Sequence, residues 1–86
     1  MQKSNVDYII LIPSLEPDMK LISYVQKLKA YALTNIIIVD DGSGEKYNAI
    51  FQKLYESGCV VLRHAENCGK GCALKTGFQY IKNNFS

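Results

Sequence analysis

The chain has 86 residues, enough for one small domain, and 48% of them are hydrophobic, as in ordinary globular proteins. Its formal net charge of +2 is too small to favour nucleic acid as a partner. No apolar run approaches the roughly 20 residues that a membrane-spanning helix needs, and residues 1–7 lack the apolar core of a signal peptide. The three cysteines are an odd number, which favours a reducing compartment over a disulfide framework.

The first half of the chain predicts two strands around one helix. A continuous apolar run over residues 8–12 is typical of a strand buried on both faces. Pro17 and Asp18 suit a first helical turn, and apolar residues at helical spacing predict a helix over 18–32. Four β-branched residues in succession predict a second doubly buried strand over 35–40.

The second half predicts a helix, a strand and another helix. The first of these helices ends before Gly58, a residue suited to follow a helix C-terminus, and its apolar face is Tyr47, Ile50, Phe51 and Leu54. Residues 59–62 predict a third strand. Residues 69–82 predict the last helix, with an apolar face of Leu74, Phe78, Ile81 and Phe85.

This β-α-β-α-β-α order predicts a three-layer α/β/α, Rossmann-like unit. Right-handed crossovers make the three strands parallel, most simply in the order 3-2-1. The first strand would then form a sheet edge, although its sequence is typical of a central strand. We therefore expect residues 1–86 to be a single partial domain, the N-terminal part of a larger one, or to associate with themselves through the 8–12 edge.

Three loops follow the three strands at the same end of the sheet, over residues 13–17, 40–43 and 64–71. In open α/β sheets this end carries the ligand crevice. Burying two adjacent carboxylates is costly, so Asp40 and Asp41 are expected where the strand leaves the core. They could accept hydrogen bonds from a base or ribose, or hold a divalent cation. Glycines and a lysine open the last helix, an arrangement that favours an anion such as a diphosphate.

Other ligand motifs are absent or incomplete. The chain has no P-loop sequence, and its first loop lacks the glycines of the Rossmann fingerprint. His64, Cys68 and Cys72 lie four residues apart, which suggests zinc, but 64–68 are expected to precede the helix and a fourth ligand is missing. No metal site is therefore predicted, and Cys59 and Cys72 are interpreted as packing residues.

Three motifs in order resemble one family. They are Ile12-Pro13-Ser14-Leu15-Glu16, Val39-Asp40-Asp41-Gly42-Ser43, and the segment from Asn67 to Gly77. The chain resembles, over about residues 6–85, the N-terminal nucleotide-binding half of family-2 glycosyltransferases, which have the GT-A fold. The predicted fold is thus a truncated GT-A fold. The third motif is most similar to that of polyprenyl-phosphate sugar transferases.

The resemblance implies a set of nucleotide-binding residues. Pro13 and Ser14 would flank the base, and Glu16 would help to hold the nucleoside. Asp41 would accept a hydrogen bond from the base N–H, while Asp40 would order the loop. The remaining members, which would line the base and ribose side of the pocket, are Asn67, Gly69 and Lys70.

The resemblance also implies what this chain lacks. The Asp-x-Asp motif that binds metal and diphosphate, and the general base, come later in the family pattern, and Asp40 and Asp41 do not match that motif. The parent is expected to be an inverting glycosyltransferase with Mg²⁺ or Mn²⁺, and this chain to have no catalytic residue and no bound metal. The donor would be a nucleotide sugar, with UDP favoured and GDP as the alternative, and the acceptor a sugar or lipid phosphate. This implies cell-envelope polysaccharide or glycolipid synthesis in the cytoplasm, at the inner face of the membrane.

Two readings from other classes stay open. A flavodoxin-like or receiver-like binding module also places acids after an early strand, but it needs about five strands and its acids follow the first. A self-associating fragment without a ligand, held through the 8–12 edge, is the other. Nucleotide titration separates the glycosyltransferase function from the self-associating fragment, and a cation requirement without nucleotide would favour the receiver-like module.

Overall fold

A computed structural model describes residues 7–85. Three strands alternate with three helices, and a 3₁₀ turn at Glu45–Tyr47 precedes the second helix. In chain order the elements are β1 (Ile10–Ser14), α1 (Met19–Ala30), β2 (Ile36–Asp40), α2 (Asn48–Glu56), β3 (Val60–Arg63) and α3 (Lys70–Asn84). The strands form one parallel sheet in the order β1-β2-β3, which confirms the predicted order with β2 in the centre.

The central strand β2 divides the core into two layers. All five of its residues are buried, which was predicted for the four β-branched ones but not for Asp40. Because successive side chains of a strand point to opposite faces, Ile36 and Ile38 pack on one side with residues of α1 and α2. Ile37 and Val39 pack on the other side with Ala73 of α3. The sheet is therefore covered on both faces, which gives the expected α/β/α layers.

The first strand is displaced from its predicted position and is less buried than expected. It runs from Ile10 to Ser14, and all five residues are only half-buried. Tyr8 lies outside it, where its hydroxyl donates to Ala32 O (2.8 Å) and accepts from Thr34 N (3.0 Å). The expectation of a doubly buried strand over 8–12 is wrong because β1 is the edge strand of the three-stranded sheet, next to β2. An edge strand also tolerates Pro13, which has no N–H for a second ladder.

The helix boundaries differ by small amounts from the predicted ones. Asp18 is the N-cap of α1, accepting a hydrogen bond from Lys20 N (2.9 Å), and is not part of the helix. The helix ends at Ala30, and Ala32 then adopts a left-handed φ of 62°. Gly58, with φ 102°, follows the last residues of α2 as predicted.

The last helix packs on a different face from the predicted one. Its buried residues are Ala73 and Gly77, whereas Phe78 is 60% exposed. A Cβ atom on Gly77 would lie 2.4 Å from Leu11 Cδ1, so small residues allow α3 to lie close against β1. The predicted apolar face was therefore wrong at Phe78, although Ile81 and Phe85 do pack against the core. No helix within residues 7–85 is long and apolar enough to cross a membrane.

Candidate functional site

The three loops at the carboxyl end of the sheet converge on a cavity of about 590 Å³. Its walls come from the end of β1, the loop after β2 and the start of α3. The lining residues are Pro13, Ser14, Leu15, Asp41, Asn67, Gly69, Lys70 and Ala73. Six of these belong to the predicted nucleotide-binding set, and the two predicted residues that do not line the cavity are Glu16 and Asp40.

Asp40 is the last residue of β2, at the end of the strand as expected, but it is fully buried, which contradicts the expectation that its carboxylate would escape burial there. Its burial is compensated, because Oδ2 accepts from Arg63 Nε (2.8 Å) and Oδ1 accepts from Ser43 N (2.9 Å). Arg63 faces Asp40 across the register of β3 and β2. Asp40 therefore holds the turn after β2 to the end of β3, and its carboxylate is unavailable to the cavity.

Arg63 is a structural residue that the sequence analysis missed. Its guanidinium donates to Gly44 O (3.0 Å) and Asn48 Oδ1 (2.5 Å), and it lies 4.6 Å from the centre of the Phe51 ring. The signal was present in the sequence, since Arg63 is the single arginine of the chain and lies at the end of the strand beside Asp40. Aligning the predicted strands β2 and β3 in parallel, with their last residues opposite each other, would have placed Asp40 and Arg63 side by side.

Asp41 is the carboxylate that faces the cavity, although it too is almost fully buried. Its Oδ1 accepts from Cys68 N (3.0 Å) and contacts His64 Nδ1 (3.0 Å), and its Oδ2 accepts from Gly69 N (2.8 Å). The backbone N–H of Cys68, followed by the His64 side chain, lowers the pKa of Asp41 below its ordinary value. Asp41 is therefore an oriented anion in the cavity wall.

His64 is held from both ring nitrogens. Nδ1 lies beside Asp41, and Nε2 lies 2.8 Å from Thr76 Oγ1. Thr76 Oγ1 in turn donates to Cys72 O (3.1 Å), one turn earlier in α3. The imidazole therefore links the loop after β2 to the body of α3 and fixes the direction of the Asp41 carboxylate.

Glycine at position 42 lets two of the loops touch. Gly42 has φ 85°, and a Cβ atom there would lie 2.3 Å from the backbone N of Asn67. The first loop is tied to the second as well, because Glu16 N donates to Ser43 Oγ (2.7 Å). Glu16 contributes this backbone contact, while its side chain is outside the cavity lining.

The N-terminus of α3 forms another wall of the cavity. Gly69 is its N-cap residue, with φ 99°, and Lys70 is the first helical residue. The Gly69 N–H already donates to Asp41, while the N–H groups of the first helical turn, the helix dipole and Lys70 favour a further anion. The cavity thus combines a hydrogen-bond acceptor that suits an imide N–H, at Asp41, with a positive end that suits phosphate.

The paired acids do not form a cation site. The oxygens of Asp40 accept from Arg63 and Ser43, and those of Asp41 accept from protein N–H groups. Carboxylates that bind Mg²⁺ must point their oxygens at the ion. The arrangement of Asp40 and Asp41 therefore does not fit a metal and diphosphate site.

Cys68 and Cys72 form a disulfide at the start of α3, with a Cα–Cα distance of 5.8 Å. The sequence analysis favoured unpaired cysteines because their number is odd, and that expectation is contradicted for this pair. The separation of four residues across the first turn of α3 brings the two sulfur atoms together. Cys59 is buried as predicted, and burial raises the pKa of its thiol.

The fold and the cavity define the chain as an α/β protein with a cavity at the carboxyl edge of a parallel sheet, where such folds carry their ligand crevice. A sequence profile of Glycosyl transferase family 2 matches residues 20–85. The chain belongs to this family, as the resemblance of its motifs predicted. This membership argues against the flavodoxin-like or receiver-like alternative.

One curated relative adds to the comparison. The chain is 33% identical over 73 residues to the uncharacterized protein MJ1222 of Methanocaldococcus jannaschii. The match covers 85% of this chain and 29% of the length of that relative. No solved structure matches the chain.

Proposed function

We propose that this chain is the nucleotide-binding part, N-terminal in its parent protein, of a glycosyltransferase that moves a sugar from a nucleotide sugar to an acceptor. The observation that carries the proposal is the cavity. Six residues that the motifs assign to nucleotide binding line one space of about 590 Å³, although they come from three separate loops. Family membership supports the same reaction class.

The nucleoside would lie between the end of β1 and the start of α3. Pro13 and Ser14 would flank the base, and Asn67 and Gly69 would line its ribose side. Asp41 would accept the base N–H. Its Oδ2 accepts one hydrogen bond from the described part of the chain, so the oxygen keeps capacity for a second. Lys70 would meet the first phosphate as a point charge.

The proposed sugar-donor substrate follows from Asp41, whose carboxylate accepts hydrogen bonds. A uracil imide or a guanine N–H can donate to a carboxylate, so the proposed donor is a UDP-sugar, with a GDP-sugar as the alternative. The proposed acceptor is a sugar or a lipid phosphate, in the synthesis of envelope polysaccharide or glycolipid at the cytoplasmic face of the membrane. Glu16, whose side chain is outside the cavity lining, is the least supported member of the set.

Sugar transfer would need groups beyond those that this chain supplies. The oxygens of Asp40 are occupied by Ser43 and Arg63, and the proposal assigns Asp41 to the base N–H, so neither is assigned to a divalent cation or to the proton of the acceptor substrate. The general base, and any Mg²⁺ or Mn²⁺ site for the diphosphate, are therefore assigned to other parts of the parent protein. The chain itself would bind nucleotide weakly and would not catalyse.

The test is an NMR titration of the ¹⁵N-labelled chain with UDP, with and without Mg²⁺, and with GDP and NAD as comparisons. We expect the amides of Asp41, Asn67, Gly69 and Lys70 to shift with UDP or GDP, independently of Mg²⁺. Asp41→Asn should weaken binding by about 10-fold or more, because the imide donor then lacks its charged acceptor. Equal shifts with NAD, or shifts spread away from the cavity, would contradict the proposal.

A matched control distinguishes a local effect from a change of net charge. Glu56→Gln removes one negative charge from the exposed end of α2, outside the cavity lining. Its UDP affinity should equal that of the unaltered chain. If both variants weaken binding equally, the effect is long-range electrostatics and the role of Asp41 is wrong.

A further inference from the structure

We propose that His64, Cys68 and Cys72, once their disulfide is reduced, form a binding site for a thiophilic divalent cation such as Zn²⁺. One ligand atom from each residue lies within 4.8 Å of the other two. The sequence analysis discounted this trio because residues 64–68 precede the helix. They do precede α3, but the loop folds back on the helix start, so the trio converges. The argument for this site does not rest on the proposed nucleotide function, although two of its residues, His64 and Cys68, contact Asp41 of the cavity.

One of the ligand spacings is already close to that around a tetrahedral ion. Zinc lies about 2.3 Å from sulfur and about 2.0–2.1 Å from imidazole nitrogen, so neighbouring ligands of a tetrahedron are about 3.6 Å apart. Cys68 Sγ lies 3.9 Å from His64 Nδ1. The Cα atoms of the two cysteines are 5.8 Å apart, which leaves their sulfur atoms free to separate to the required distance by side-chain rotation.

The histidine is held as metal-binding histidines usually are. Such residues donate the N–H of the second ring nitrogen to an oxygen, which fixes the ring and its tautomer. Here Nε2 lies 2.8 Å from Thr76 Oγ1, and that hydroxyl donates to Cys72 O. Nδ1 is left on the side of the two sulfur atoms. Cys68 is exposed, so an ion can enter from solvent.

The same nitrogen now faces Asp41 Oδ1 at 3.0 Å. An ion bound to Nδ1 would compete with this contact. Three protein ligands leave a fourth position for water, as in open zinc sites. Metal binding would therefore alter one of the contacts that orient the cavity carboxylate.

Reduction must come before binding. A thiol reductant gives two electrons to the Cys68–Cys72 bond and is itself oxidised to a disulfide, and the two cysteines take up two protons. The cation then displaces those protons as the thiolates coordinate it. The oxidised chain has no thiolate at this place and should not bind.

The experiment is a Co²⁺ titration of the full 86-residue chain, anaerobic and reduced with a phosphine, followed by competition with Zn²⁺. We expect one Co²⁺ per chain, with the visible bands of a tetrahedral ion and a thiolate-to-cobalt charge-transfer band, both removed by Zn²⁺. The oxidised chain should show neither. An octahedral spectrum, or equal binding by both redox forms, would overturn the proposal.

Variants test each ligand. Cys72→Ser and His64→Gln should each weaken Co²⁺ binding by more than about 100-fold, and Thr76→Val by about 10-fold or more, because it loosens the ring of His64. Cys59→Ala is the matched control, since it removes a thiol that lies outside the cluster, and its affinity should not change. Circular dichroism of each variant confirms folding. Loss of binding in Cys59→Ala, or retained binding in Cys72→Ser, would show that the site is elsewhere.

Discussion

Replacing Gly42 by alanine should separate the loops that build the cavity. Gly42 has φ 85°, and a left-handed conformation costs a non-glycine residue about 1–2 kcal/mol. The new Cβ atom would also lie 2.3 Å from Asn67 N and 2.4 Å from Glu66 C. These are backbone atoms that cannot rotate away, so overpacking adds about 1–3 kcal/mol. We expect Gly42→Ala to lower the free energy of unfolding by about 2–5 kcal/mol.

Gly58→Ala is the control for the conformational part of this cost. Gly58 has φ 102°, but nothing lies within 4 Å of the position that its Cβ would take. It should therefore lose only about 1–2 kcal/mol. Urea unfolding gives the free energy of unfolding of each variant, provided that its dependence on urea concentration keeps the same slope. The difference between the two variants then measures the contact between the second and third loops. Equal losses would refute the close approach of Gly42 to Asn67.

Three further predictions concern charge and the sheet edge. The pKa of Asp41 is below its ordinary value of 3.8, so its ionised carboxylate stabilises the fold fully above pH 3.8 and loses this effect as the pH falls further. The difference in unfolding free energy between the unaltered chain and Asp41→Asn, measured by urea titration, should therefore shrink in acid. Arg63→Met should lower the free energy of unfolding by about 1–3 kcal/mol in the same assay, because Asp40 stays buried without its charged donor. Lys53→Met, on the exposed side of α2, should change that free energy little. The outer edge of β1, which no other strand of the described sheet covers, should drive concentration-dependent association in sedimentation experiments, and a monomer at high concentration would contradict this expectation.

Element order was predictable because each strand has a strong local signature. The four β-branched residues of β2 and the short run of β3 indicated a parallel sheet, and Gly58 marked the end of α2. Right-handed crossovers then left few strand orders. The convergence of three loops on one cavity follows from that order alone, since parallel strands end at the same edge.

The sequence-based predictions were wrong where contacts between elements, which the local hydrophobic pattern does not show, decide the structure. In α3 the apolar spacing suggested that Phe78 faces the core, but the buried face consists of Ala73 and Gly77. Close approach to Leu11 requires small residues there, and a hydrophobic pattern cannot show how near two elements lie. The pairing of Cys68 with Cys72 was likewise invisible to a count of cysteines.

The adjacent acids show how strand geometry assigns different tasks to two identical side chains. Consecutive residues point to opposite sides of a strand. Asp40 therefore turns to Arg63 and the turn before α2, while Asp41 turns to the N-terminus of α3. Because their carboxylates diverge, they cannot hold one cation together, and only Asp41 can meet a ligand in the cavity. Two acids in sequence thus give one structural anchor and one candidate recognition group, and this division explains why both can be buried in so small a domain.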